Sequence, residues 1–143
     1  FTSCFMVVID MNLEGISAIS PPAEVAVAEA AKMKELKQYI DLCIEKCNNC
    51  EPCFVIVGTK QDLVKKRGKV SRIALMQTLS LYKCHIVGYF ETSALENVNC
   101  FEAMDYAIEC AVKQDEKIKA ERKLKAEQNK QEQQQTSSWC IVQ

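Results

Sequence analysis

Glycine is scarce in this chain: Gly15, Gly58, Gly68 and Gly88 are the only four in 143 residues. None stands in a Gly-x-x-x-x-Gly-Lys-Ser/Thr pattern, so the sequence holds no backbone nest of that kind for β- and γ-phosphates. Histidine is scarcer still. His85 stands alone at the start of an apolar run, and no nucleophile is assigned to it, so a catalytic imidazole is not expected. No apolar stretch approaches the roughly 18 residues that a spanning helix needs. Charge of one sign is not in excess: the net charge of -1 argues against a nucleic-acid surface and no such partner is expected. The first residue is Phe1, and Cys4 to Ile9 already reads as a core strand. Without a charged leader or a small-residue cleavage site, a signal peptide is not expected. The expectation is that the chain opens inside a domain.

Cysteine, in contrast, is plentiful. Nine is an odd number and no secretory signal accompanies it, so a disulfide framework is not expected. Cys43, Cys47, Cys50 and Cys53 do suggest a metal or iron–sulfur set. The plainer reading is stronger. Cys43 and Cys47 fall on an apolar helix stripe and Cys53 begins a core strand, where cysteine serves as a small hydrophobe. No metal ligand is assigned.

The remaining composition is that of a soluble domain, 48% hydrophobic and 26% charged. Along the chain, apolar runs alternate with helical periods. Cys4 to Ile9 reads as a buried strand ending at Asp10. Ser20-Pro21-Pro22 breaks the chain, and a helix follows from about Ala23 to Lys46. Its stripe is Leu36, Tyr39, Ile40, Cys43, Ile44 and Cys47. Cys53 to Gly58 is the second strand. Lys65 to Gly68 is a loop, and a helix runs from about Ser71 to Tyr82. His85 to Phe90 is the third strand. The last helix has a stripe of Phe101, Met104, Ala107, Ile108, Ala111 and Val112, and continues beyond it as a solvated arm rich in Lys, Glu and Gln. Strand–helix units in this order predict an α/β fold with three parallel strands, covered on both faces, and a long C-terminal helix.

Two polar loops follow strands of this pattern: Thr59-Lys60-Gln61-Asp62 and Glu91-Thr92-Ser93-Ala94-Leu95. In an open parallel sheet, ligands bind at the carboxyl ends of the strands, so both loops open onto one edge. An aspartate carboxylate there can accept N1–H and N2–H of guanine together, a pair that adenine does not offer. A turn or cap aspartate is the common alternative for Asp62 taken alone. The second loop and the strand contexts favour the base-reading role.

The first loop resembles the Asn/Thr-Lys-x-Asp element of small GTPases of the Ras superfamily, and the second resembles their Ser-Ala-Lys/Leu element. The likeness covers residues 1–112 and matches only the second half of such a domain, a partial P-loop GTPase fold. It implies that Asp62 reads the base, that Lys60 lays its stem along it, and that Ser93 steadies Asp62. The Ala94 N–H would meet guanine O6, and Leu95 would cover the base. Thr59 and Leu95 stand where many members have Asn and Lys, as in the Rho-like branch, but the spacing is too short for the extra helix of that branch. The ligand implied is GTP or GDP. Magnesium is implied only where the missing first half is present, and without that half no catalytic residue is assigned. Exchange factors, activating proteins and effectors are partners by resemblance alone.

The chain ends Cys140-Ile141-Val142-Gln143, a prenylation box whose final Gln favours a farnesyl group. One prenyl chain holds a membrane only marginally. From Lys113 to Glu132 seven basic residues face five acidic ones, so polybasic help is weak. Reversible residence on the cytoplasmic face of a membrane is expected. Residues 1–112 are thus expected to form an incomplete GTPase domain, and 113–143 a helical arm and lipidated tail. The expected function is a membrane-anchored switch in signalling or vesicle traffic. A pseudo-GTPase interaction protein is the alternative.

Overall fold

The computed structural model describes residues 4–17, 19–47, 52–63, 67–83 and 85–139. In chain order the elements are β1 (Cys4–Asp10), β2 (Asn12–Ser17), α1 (Pro22–Lys46), β3 (Cys53–Thr59), a 3-10 turn (Gln61–Leu63), β4 (Arg67–Lys69), α2 (Arg72–Ser80), β5 (Ile86–Glu91) and α3 (Cys100–Trp139). β1, β3 and β5 form one parallel sheet in the order β1-β3-β5. The α/β class and the three parallel strands are as the sequence predicts. β2 and β4 form a separate antiparallel ribbon.

β3 is the middle strand, and Cys53 through Val57 are all buried. Side chains of a strand alternate between faces, so a continuous apolar run requires cover on both. Phe54 and Ile56 pack with Ile9, Leu36, Ile40, Leu75 and Leu79, on the side of α1 and α2. Val55 and Val57 pack on the other side with Ala103 and Ala107 of α3. Pro22 opens α1 at a position where a missing N–H costs nothing. The Ser71 hydroxyl caps α2 by accepting from the Ala74 N–H at 3.1 Å.

The face that α3 presents matches the predicted stripe only in part: Ala107 belongs to it, and Ala103 does not. Ala103 and Ala107 turn to the sheet, with Tyr106 donating to the Val87 carbonyl of β5 at 2.7 Å. Phe101, Met104, Ile108 and Val112 are exposed. Small residues allow the helix axis to approach the sheet closely, so the bulkier side chains are displaced outward. Tyr39 of α1 is likewise exposed, while Leu36 and Ile40 are buried as expected. The helix passes residue 112 without a break. Among the described residues, no helix is long and apolar enough to cross a membrane.

Among the described residues β1 carries no strand on its outer side. Val8 on that edge is 59% exposed. A cavity of about 220 Å³ runs beside it, lined by Val7, Val8, Ile9, Leu36 and Tyr39, with Asp10, Lys32 and Glu35. An apolar open edge is a template for pairing with another chain. The substitution Val8→Lys is therefore expected to reduce self-association of the isolated chain, as read by sedimentation velocity. Unchanged association would show that the edge is not the sticking surface.

Candidate functional site: the carboxyl edge of the sheet

β1, β3 and β5 end side by side at Asp10, Thr59 and Glu91. The chain leaves β3 through Lys60, whose φ of 62° is left-handed. Only a reversed backbone there lets the strand turn at once into the 3-10 turn that carries Asp62. A lysine in this region has no glycine-like freedom, so the surrounding bonds must hold it.

They do so from both neighbouring strands. The Gln61 N–H donates to the Thr92 carbonyl at 3.0 Å, and the Thr92 N–H donates to the Gly58 carbonyl at 2.7 Å. The Thr92 hydroxyl adds a bond to the same Gly58 carbonyl at 3.3 Å. Gly58 itself is closely crowded: a Cβ there would lie 2.8 Å from the Met11 side chain. The two loops are thus one bonded unit.

The side chains converge as well. The fully buried Ser93 donates its hydroxyl to Asp62 Oδ1 at 2.6 Å. The same Ser93 oxygen accepts from the Glu96 N–H at 3.1 Å, and its backbone bridges to Val98 in both directions. Ser93 is therefore fixed in place, and it fixes one oxygen of Asp62. Ala94 and Leu95 follow it at the loop mouth, and Leu95 is 83% exposed. At that exposure Leu95 is no core residue. Thr59 faces the seam between strands, where its hydroxyl donates to the Ile9 carbonyl at 3.3 Å.

Lys60 extends to Asp10, with Nζ 2.5 Å from Oδ2. The other Asp10 oxygen accepts from the Asn12 backbone and side chain, each at 3.0 Å. Burial alone would raise the Asp10 carboxyl, but hydrogen bonds from Lys60 and Asn12 outweigh it and hold the group below its ordinary value. A second ion pair ties β4 to the same edge, from Lys69 to Glu91 at 3.1 Å, with the Tyr89 hydroxyl donating to Glu91 at 3.1 Å. Burial, then the charge of Glu91, pushes Tyr89 upward.

Thr59, Lys60, Asp62, Ser93, Ala94 and Leu95 all lie on this one edge. The roles of Asp10, Lys69 and Glu91 were not legible beforehand. The only signal for Asp10 was an acidic residue closing a strand whose neighbour carries the lysine. Cys140 and Cys50 lie outside the described residues. Cys53, from the cysteine run, lies beside Cys4 of β1 in the register of the two strands, and burial, then the neighbouring Cys53 thiol, lifts Cys4 to about 12. Among the described residues, no group of three or more His, Cys, Asp or Glu side chains is placed to hold a metal ion.

Comparison with models of known protein families finds no match, and none of the curated proteins matches the chain.

Proposed function

We propose that this chain is the base-reading and membrane-anchoring part of a small GTPase of the Ras kind. The observation that carries the reading is the 2.6 Å bond from Ser93 to Asp62, which links two loops otherwise 31 residues apart. With Oδ1 engaged, the rest of the carboxylate can take N1–H and N2–H of guanine as charge-assisted bonds. The Ala94 N–H would meet O6, and the stem of Lys60 and the exposed Leu95 would flank the ring.

The donor set suits a guanine base and does not suit the rest of the nucleotide. The sequence offers no phosphate loop, so no residue is assigned to the β- or γ-phosphate or to magnesium, and no hydrolytic step is derived. The open β1 edge is where a phosphate-reading segment would pair. Farnesylation of Cys140 would place the protein at a membrane with the long helix as spacer. The exposed β1 edge and the exposed stripe on α3 also favour a second reading, an interaction protein that keeps the fold and has lost nucleotide turnover.

Calorimetric titration separates the two readings. The proposal expects weak but saturable guanosine binding and none by adenosine at the same concentration. Equal responses to both nucleosides, or to neither, favour the interaction protein.

A further inference from the structure

Lys60 is held in an unusual way. Its backbone is left-handed at φ 62°, and its side chain reaches across the ends of two strands to Asp10, 50 residues earlier. β1 and β3 are in continuous register from Cys4↔Cys53 to Asp10↔Thr59, so the carboxylate stands directly beside the residue that precedes the lysine. Asp10 is fixed in turn by Asn12, whose backbone and side-chain N–H groups both donate to Oδ1. Asn12 is buried, so this anchor is rigid.

We propose that Asp10 is a positioning residue of the base site, which pins the Lys60 ammonium at the end of β1 and lays the lysine's methylene stem out as a fixed shelf for the purine ring. The inference rests on the guanine reading given above and deepens it. A free lysine head near the ring would be a mobile, hydrated cation with four rotatable bonds. Drawn to Asp10, the head is neutralised away from the ring, and the apolar stem is what remains beside it. Stacking on such a shelf acts on any purine. Discrimination between purines falls to Asp62. The two acidic residues thus divide the work: Asp10 sets how well a base is seated, and Asp62 sets which base.

That division has a test. Asp10→Asn keeps an acceptor for the Asn12 contacts and removes only the charge that holds Lys60. Guanosine and inosine both carry N1–H, but inosine lacks the exocyclic amine. Asp10→Asn is expected to weaken both by the same factor, about two- to fivefold, the scale of a half-exposed ion pair. In a Lys60→Met background, which keeps an apolar stem without its charge, Asp10→Asn is expected to have no further effect. Backbone amide spectra of each variant check that the fold is kept. If Asp10→Asn weakens binding equally with and without Lys60→Met, or changes the guanosine-to-inosine ratio, the positioning role is overturned while the base site stands. If the unaltered chain does not bind guanosine at all, the base-site reading fails and this inference fails with it.

Discussion

Asp62→Asn is expected to reverse the base preference of this protein from guanine to xanthine. The geometry makes the substitution a clean one. Ser93 donates to Asp62 Oδ1 at 2.6 Å, and the carbonyl of an asparagine can accept the same bond, so the loop pairing survives. What changes is the face turned to the base. A carboxylate oxygen that accepts from guanine is replaced by an NH₂ donor. That donor opposes guanine N2–H but matches the C2 carbonyl of xanthine, while the asparagine carbonyl can still accept N1–H of either base. A hydrogen bond to a charged group contributes about 1.5–3 kcal/mol, and leaving partners unpaired adds to the loss. Guanosine binding should therefore fall by about a hundredfold or more, and xanthosine should overtake it, since each ~1.4 kcal/mol is a factor of ten. Competition of the two nucleosides for the variant, measured calorimetrically, checks this. A variant that still prefers guanosine would remove Asp62 from the base site.

The largest effect on stability is expected at Phe54. Its side chain is fully buried near the start of β3. It stacks on Phe5 of β1 with ring centroids 5.5 Å apart and meets the His85 ring edge-on at 6.3 Å. On its face of the sheet it joins Leu36 and Ile40 of α1 and Leu75 and Leu79 of α2. One residue therefore links two neighbouring segments of the sheet to both helices of that layer. Phe54→Ala removes a ring that little can replace, and such truncations cost about 3–5 kcal/mol. Set against total stabilities of about 5–15 kcal/mol, the loss is large for a sheet with an open edge. Urea unfolding of the two proteins measures it. A change below about 1 kcal/mol would mean that the layer around Phe54 collapses to fill the space, contrary to the rigid core argued here.

The sheet was legible in the sequence because its strands are apolar on both faces. Cys53 to Val57 leaves no polar position for a solvated face, and only a covered parallel strand fits. The loops that follow were legible for a related reason: polar runs placed immediately after buried strands must lie at the sheet's carboxyl edge. The face of α3 was not legible. Its apolar positions include both small and large residues, and hydrophobicity cannot say which set approaches the sheet. Ala103 and Ala107 do so because closeness matters more than bulk at that contact, and Phe101, Met104, Ile108 and Val112 are left outside. The β2–β4 ribbon was hidden because Arg67–Lys69 is short and polar and forms a strand only through its partner. The pairs Asp10–Lys60 and Lys69–Glu91 are separated by 50 and 22 residues and depend on strand register, which no local pattern encodes. What was visible was Asp62, the residue proposed to read the base, with Ser93 set beside it by resemblance. The ion pairs that tie the surrounding strand ends together became visible only in the fold.

In the proposed function, two separate loops form one guanine-reading surface. Titration of the isotope-labelled chain with guanosine, followed by backbone amide NMR, tests it most directly. The amides of Lys60 to Asp62 and of Ser93 to Leu95 are expected to shift together along one binding curve, with adenosine leaving both loops unmoved. Shifts confined to one loop, shifts in the cavity beside Val7 and Tyr39 instead, or equal shifts with adenosine would contradict it.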